Sequence, residues 1–303
     1  MLKYLVVALA AATAFASSAA AQPADPNRLF GDSKLVVRGR FSDEIVGKGP
    51  DVVFIPGLSS SRAVWKASAQ RLRAHHRVHL LQLAGFAGEP PRANATGEVL
   101  VPTADAIDAY LTEQKLAPAV LVGHSLGGTL ILQLAITHPE HLKKALVVDA
   151  VPFLGSVRGD PNATVESVRP TAEKIRDRMA GGGDGFASGL KGSTAAMVTG
   201  EADKAQVIAA GLQSDPGVVS RYFYEDLLLD LRPKLAQIRT PITLLYPDNV
   251  AIGAPPGAMQ KVYPTLYAAV PTVRPQLVEH SLHFVMLDQP KAFADALDAF
   301  LAP

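Results

Sequence analysis

The 303-residue chain contains no cysteine, which rules out a disulfide framework. It has no surplus of either charge: 29 basic and 28 acidic residues are interspersed, with no basic stripe or acidic block of the kind that grips nucleic acid. None of its eight histidines falls into a metal-ligand pattern such as His-x-x-x-His flanked by an acid. A dinucleotide fingerprint is missing too, because Gly85-Phe86-Ala87-Gly88 has the wrong spacing and the wrong helix context. There is no internal repeat. These absences leave a small, weakly charged molecule as the natural partner and imply no cofactor and no metal.

The apolar run at the start of the chain, about Tyr4 to Ala16, is shorter than the roughly 20 residues a membrane span needs, and no later stretch does better. Lys3 precedes it, and Ala19-Ala20-Ala21 supplies small residues for cleavage before Gln22. Residues 1–21 are therefore expected to be a signal peptide of bacterial type, cleaved after Ala21. The mature protein would be periplasmic or secreted, with no membrane span. Without a cysteine at the cleavage site, the sequence argues against a lipid anchor.

Beyond Gln22 the pattern alternates between strands and helices. Lys34 to Phe41 alternates loosely and Asp51 to Ile55 is a compact apolar strand, with Gly47-Lys48-Gly49-Pro50 as turn material; a hairpin between the two fits. Strand signals recur at Arg77 to Leu83, Ala119 to Val122, Lys144 to Val148, Pro241 to Tyr246 and Thr272 to Val278. Helical stretches fall at Arg62 to Ala74, Thr103 to Gln114, Leu126 to Ala135 and Pro290 to Leu301. Such alternation predicts an α/β fold, a mostly parallel sheet covered by helices on both faces, with ligands gathered beyond the carboxyl ends of the strands. From Val151 to about Pro233 the strand pattern disappears and glycine and charge rise. The expected organisation is a core of residues 22–150 and 234–303, interrupted by a helical cap over 151–233.

The chain is organised around Pro118 to Ala135, PAVLVGHSLGGTLILQLA. An apolar strand and an apolar helix meet there, so Gly123-His124-Ser125-Leu126-Gly127 must turn between them. Side chains two positions before and after the serine would collide at a sharp reversal, and glycine removes both collisions. Ser125 is thereby lifted clear of the backbone in a conformation costing about 1–3 kcal/mol, which a fold tolerates mainly where the exposed hydroxyl is used.

Three stretches together resemble the α/β-hydrolase superfamily: Gly-His-Ser-Leu-Gly-Gly at the turn, Ile55-Pro56-Gly57-Leu58 after an early strand, and Leu282-His283-Phe284 near the end. The resemblance covers essentially the whole chain after residue 21. It implies serine-type hydrolysis with a triad in the chain order serine, acid, histidine. Ser125 matches the nucleophile. His283 matches the histidine, with His280 as a rival three residues earlier. The acid position is matched by Asp248, in Tyr246-Pro247-Asp248-Asn249, although this turn is short and lacks the family's glycine-rich lead; Asp149, one strand earlier, is the alternative acid. The oxyanion-hole amides would be those of Leu58 and Leu126, with Pro56 standing where the family often has histidine. The expected substrate is a carboxylic ester. Lactone, amide or carbon–carbon bond cleavage and acyl transfer remain open on the same triad, as does a catalytically degenerate binding protein of the same fold.

The export reading has a direct test. Expressed in a bacterium with an intact export pathway, the chain should yield a mature species whose N-terminal residue is Gln22. An intact mass that retains residues 1–21 in the extracytoplasmic fraction would contradict cleavage after Ala21.

Overall fold

In a computed structural model of the chain, residues 28–157 and 162–302 are described; the segment 1–21 lies outside the described residues. Among these, eight strands form one sheet in the order β1-β2-β4-β3-β5-β6-β7-β8. They are β1 (Lys34–Val37), β2 (Phe41–Gly47), β3 (Asp51–Ile55), β4 (Arg77–Leu83), β5 (Ala119–His124), β6 (Leu142–Val148), β7 (Ile242–Pro247) and β8 (Val273–Val278). β1 and β2 are antiparallel to their neighbours, and β3 to β8 run parallel.

One detail departs from the sequence expectation. The hairpin is β1 with β2, turning at Arg38 to Arg40, and the Gly47 to Pro50 turn does not pair its flanking strands. β4 lies between β2 and β3 instead. A parallel neighbour for β3 has to return through a helix, and α1 (Lys66–Leu72) is that crossover.

Successive strand residues point to opposite faces, and both faces are buried. On one side Val53, Ile55, Leu81, Leu121, Val147 and Leu244 pack under α2 (Leu100–Glu113) and α3 (Leu126–Thr137). On the other, Val52, Phe54, Leu80, Val122, Leu146 and Leu245 join Ala69 and Leu72 of α1. This continuous apolar character is why the inner strands read as unbroken runs rather than polar alternation.

Between β6 and β7 the chain leaves the sheet for α4 (Leu154–Val157), α5 (Val165–Ala180), α6 (Gly183–Thr194), α7 (Glu201–Leu212) and α8 (Pro216–Leu228). Local sequence sets their starts. Thr164 and Ser167 form a reciprocal capping box on α5, and Asp215 caps α8 through the Val218 amide at 2.8 Å, with Pro216 in the first turn. Anchorage to the core comes from α8. Its Glu225 carboxylate accepts from the Val99 and Leu100 amides at 3.0 and 2.7 Å, satisfying orphan donors at the start of α2. Its Tyr222 hydroxyl bonds Thr103 at 2.5 Å.

After β7 come α9 (Met259–Leu266), α10 (Val285–Asp288) and α11 (Pro290–Leu301), the last burying Phe293, Leu297 and Phe300. No helix among the described residues is long and apolar enough to cross a membrane.

A buried polar cluster holds the loop that follows β3. The Arg62 side chain is fully buried, with Glu44 at 3.7 Å and Glu89 at 3.3 Å. Glu44 also accepts from the Leu29 and Phe30 amides at 2.8 Å each. The Arg62 amide donates to Gln82 at 2.7 Å, and Gln82 donates to the Ser60 carbonyl at 3.0 Å. Removing Glu44 leaves the buried guanidinium with the Glu89 carboxylate and strands the Leu29 and Phe30 amides. Glu44→Ala is therefore expected to lower unfolding stability by about 3–5 kcal/mol in urea titrations. A loss below about 1 kcal/mol would show that water reaches the guanidinium.

Candidate active site

At the junction of β5 and α3, Ser125 has φ 52° and ψ −122°. This is a strained geometry for a residue with a side chain. It is possible because three backbones approach one another. A Cβ on Gly123 would lie 2.4 Å from the Gly127 carbonyl oxygen, and one on Gly127 would lie 2.3 Å from the Ile55 carbonyl oxygen at the end of β3. The second glycine thus accommodates the neighbouring strand rather than the reversing one. The Ser125 amide is spent on the Val148 carbonyl of β6 at 2.9 Å, which fixes the turn against the next strand.

Two amides border this hydroxyl. Leu126 is the first residue of α3, so its N–H has no intrahelical acceptor and stands at the positive end of the helix dipole. Leu58 follows Gly57, at which a Cβ would come within 3.1 Å of the Ser125 Cβ. Glycine is what lets the β3 loop reach the serine. Among the described residues the Leu58 N–H donates to no backbone carbonyl. Leu58 and Ser125 line the same cavity.

His283 lies between β8 and α10 and lines that cavity as well. Its Nδ1 is 2.6 Å from Asp149 Oδ2. The expectation that Asp248 holds this imidazole is therefore corrected. Asp248 accepts instead from the backbone amides of His280, at 2.8 Å, and Val250, at 3.3 Å, and makes no bond to His283 among the described residues. The reason is register. Val148 of β6 pairs with His124 of β5, so Asp149 and Ser125 leave adjacent parallel strands at the same level. Leu245 of β7 pairs with Val148, which puts Asp248 one strand further away and two residues beyond that level. With strands about 4.8 Å apart, the nearer carboxylate meets the imidazole. Asp248 is left to tie the β7 loop to the histidine loop. The rival His280 is exposed and does not line the cavity.

Two further residues hold this arrangement, neither of which the sequence singled out. Tyr263 of α9 donates its hydroxyl to Asp149 Oδ1. Its ring stacks on Tyr246 with centroids 4.6 Å apart. Burial, then the Asp149 charge, pushes the Tyr263 phenol well above its ordinary value, so it remains a donor. Nothing in a single sequence marks it. His124 is fully buried; burial and the adjacent His283 ring hold its pKa well below the usual histidine value. The neutral ring donates through Nε2 to the His283 carbonyl at 3.0 Å and pins the histidine loop beside the serine turn.

The cavity has a volume of about 680 Å³. Its floor is Ser125, His283 and Asp149, and α5, α6, α7 and α8 contribute much of its wall, largely apolar in Ile175, Met179, Phe186, Leu190, Val207 and Val219. One buried acid interrupts the apolar wall. Asp226 of α8 is 8% exposed; burial raises its pKa to about 7, against the opposing pull of the nearby Thr129 hydroxyl.

Away from this centre, His138 and His141 stack in parallel and turn their Nδ1 atoms to Asp108, at 3.5 and 2.7 Å. These three side chains bring one ligand atom each within 4.8 Å. They sit at the far end of α3, about 18 Å along the helix from Ser125, and take no part in its chemistry.

The Alpha/beta hydrolase family matches this chain over residues 52–296. A pimeloyl-[acyl-carrier protein] methyl ester esterase of Aeromonas salmonicida (strain A449) is 26% identical over 273 residues, spanning 86% of this chain and 98% of that protein. The esterase of the same name from Vibrio vulnificus (strain YJ016) is 26% identical over 266 residues, 84% of this chain and 95% of the relative. Among solved structures, a hydrolase from Pseudomonas aeruginosa PA01 aligns with a TM-score of 0.72 at 18% identity, covering 90% of this chain and 99% of the other. The enol-lactonase of Burkholderia xenovorans LB400 aligns with a TM-score of 0.67 at 17% identity, covering 88% and 99%. At these identities the structural likeness establishes the fold alone.

The buried acid gives a pH-dependent expectation. The Asp226 pKa rises from 3.8 to about 7 in the folded chain, so the folded state holds this proton more tightly than the unfolded state does. Its contribution to stability is lost as pH climbs from about 4 to 7, and the loss is complete above that range. Asp226→Asn does not titrate. Between pH 5 and pH 8, which spans the upper part of that window, its stability relative to wild type should rise by roughly 3 kcal/mol, measured by chemical unfolding at both pH values. A difference that does not change with pH would show that the carboxyl is hydrated.

Proposed function

The chain belongs to the alpha/beta hydrolase family and is a hydrolase, and we propose that it cleaves a carboxylic ester through an acyl-enzyme on Ser125. The observation that carries this reading is the hydrogen bond of Asp149 to His283 at the floor of the cavity onto which Ser125 opens. With Nδ1 engaged by the carboxylate, Nε2 is the ring nitrogen left to accept the serine proton. Asp149 holds that tautomer and stabilises the imidazolium as it forms. Tyr263 shares the carboxylate and fixes its orientation.

In the first half-reaction the Ser125 oxygen attacks the ester carbonyl while His283 takes its proton. The carbonyl oxygen becomes an oxyanion between the Leu58 and Leu126 amides, each such donor being worth about 2.7–4 kcal/mol of barrier. The C–O bond to the alcohol then breaks, and His283 returns the proton to the leaving oxygen. In the second half-reaction His283 deprotonates water, which attacks the acyl-serine; collapse releases the acid and restores the serine hydroxyl.

The apolar wall supports an acyl or alkyl part of small to medium size. The relatives named for a methyl ester support a small alcohol as the leaving group. The residues of α4 to α8, within the 151–233 segment, are proposed to set substrate preference as a cap. On the strength of Lys3 and the apolar run ending at Ala19 to Ala21, we place this activity outside the cytoplasm.

The test is a screen of p-nitrophenyl esters, lactones and amides, with fluorophosphonate labelling alongside. Ester turnover and labelling should both vanish in Ser125→Ala. Asp149→Asn should lower kcat by about 10⁴, because the imidazole loses its orienting partner, while folded Asp248→Asn should lose far less. A larger loss for Asp248→Asn would return the acid role to that residue. A folded wild type that neither labels nor turns over any ester would remove the hydrolytic reading and leave a binding protein.

A further inference from the structure

The mechanism makes no use of Asp226, although it faces the reaction cavity. Among the described residues it forms no ion pair, and the nearby polar group that favours its ionised form is the Thr129 hydroxyl. Thr129 lies four residues after Ser125 on the same face of α3, and its amide donates to the Ser125 carbonyl at 3.0 Å. Both Thr129 and Asp226 line the cavity. The carboxyl therefore shares with Ser125 the cavity into which Thr129, one helical turn along α3, also opens.

The backbone that carries Asp226 is fixed at both ends of α8. The adjacent Glu225 is bound to the first amides of α2, and the Asp215 cap fixes the other end of α8. A carboxyl offers about four acceptor sites when ionised, or a donor and remaining acceptors when protonated, and one threonine hydroxyl meets only part of that capacity. Holding such a group in an apolar wall is costly unless something else pairs with it.

We propose that Asp226 and Thr129 form a polar subsite that selects esters bearing a neutral hydroxyl close to the scissile bond over their plain alkyl counterparts. A hydroxyl donates to the ionised acid and accepts from the protonated one, so it fits both forms of a group that titrates near neutrality. A cationic substituent would have to shed its water against the apolar wall and share the cavity with Arg178. An anionic substituent would meet the acid and the Asp149 carboxylate. Neutral oxygen is what the surroundings favour.

This inference rests on the reading of Ser125 as a hydrolytic nucleophile, and the experiment separates the two. Wild type, Asp226→Leu, Asp226→Asn and Thr129→Val are compared by pH-stat on two matched pairs: methyl hexanoate with methyl 3-hydroxyhexanoate, and hexyl acetate with 3-hydroxyhexyl acetate. Wild type should favour the hydroxylated member of at least one pair by about tenfold in kcat/KM, the worth of one buried hydrogen bond. Asp226→Leu and Thr129→Val should bring that ratio to about one or below, and Asp226→Asn, which still donates and accepts, should retain part of it. A wild-type ratio at or below one in both pairs overturns the subsite, as does a ratio unchanged in Asp226→Leu and Asp226→Asn. If no ester is turned over, the hydrolytic reading fails, and the subsite is judged by calorimetric binding of hexanamide against 3-hydroxyhexanamide, and of 1-hexanol against 1,3-hexanediol, to Ser125→Ala. Tighter binding of the hydroxylated member of either pair, lost on adding Asp226→Asn or Asp226→Leu, sustains the subsite; equal affinity within both pairs overturns it.

Discussion

Backbone against backbone is the contact on which everything else in this molecule rests. The β3 end, the β5 end and the first turn of α3 come so close that the Cβ positions of Gly123 and Gly127 would fall at 2.4 and 2.3 Å from carbonyl oxygens. That proximity forces Ser125 into its positive φ and sets the Leu126 amide at an open helix end beside the Leu58 loop. The strain at one residue is tolerated because the Val148 carbonyl, the α3 helix and the apolar core on both sides of the sheet over-determine its position. The placing of the Leu58 and Leu126 amides beside Ser125 follows from the same constraint.

Around that point, charge is arranged by how much water it has lost. At the serine's side, Asp149 is satisfied by an imidazole and a phenol, and neutral His124 spends its proton on the backbone that carries His283. Behind the β3 loop, Arg62 is surrounded by Glu44, Glu89 and Ser42, so that the segment reaching toward Ser125 is tied to the sheet beneath it. Both clusters position backbone as much as side chains. Asp226 breaks the pattern: it has one hydroxyl partner and no counter-ion in an apolar wall, and it is the polar group from which a substrate can most readily gain a contact.

The helices inserted between β6 and β7 give the cavity its shape, while the sheet gives it its chemistry. Glu225 joins the two, because by satisfying the start of α2 it fixes α8, and with α8 the position of Asp226 relative to Thr129. The inserted helices and the sheet thus meet around the cavity along one turn of α3, where Thr129 follows Ser125.

Local pattern was enough for the fold class, the parallel inner strands, the glycine-flanked turn at Ser125 and the terminal helix ending near Leu301. Each depends on the spacing of apolar residues or on the steric demands of a few neighbours, and those are written in consecutive positions. The β1–β2 pairing and the partner of His283 were not legible in the same way, because they depend on which strands become neighbours. Asp248 and Asp149 both follow apolar strands, and only the register of β6 between β5 and β7 puts one of them level with Ser125. Tyr263 and Asp226 are further cases, an ordinary tyrosine and an ordinary acid on helices until folding buries both beside the cavity. The sequence by itself determined where the chain turns and which hydroxyl it exposes. The tertiary structure alone decided which carboxylate reaches the imidazole and which acid faces the cavity, since distances across a sheet are set by strand order and register, which no consecutive stretch of residues encodes.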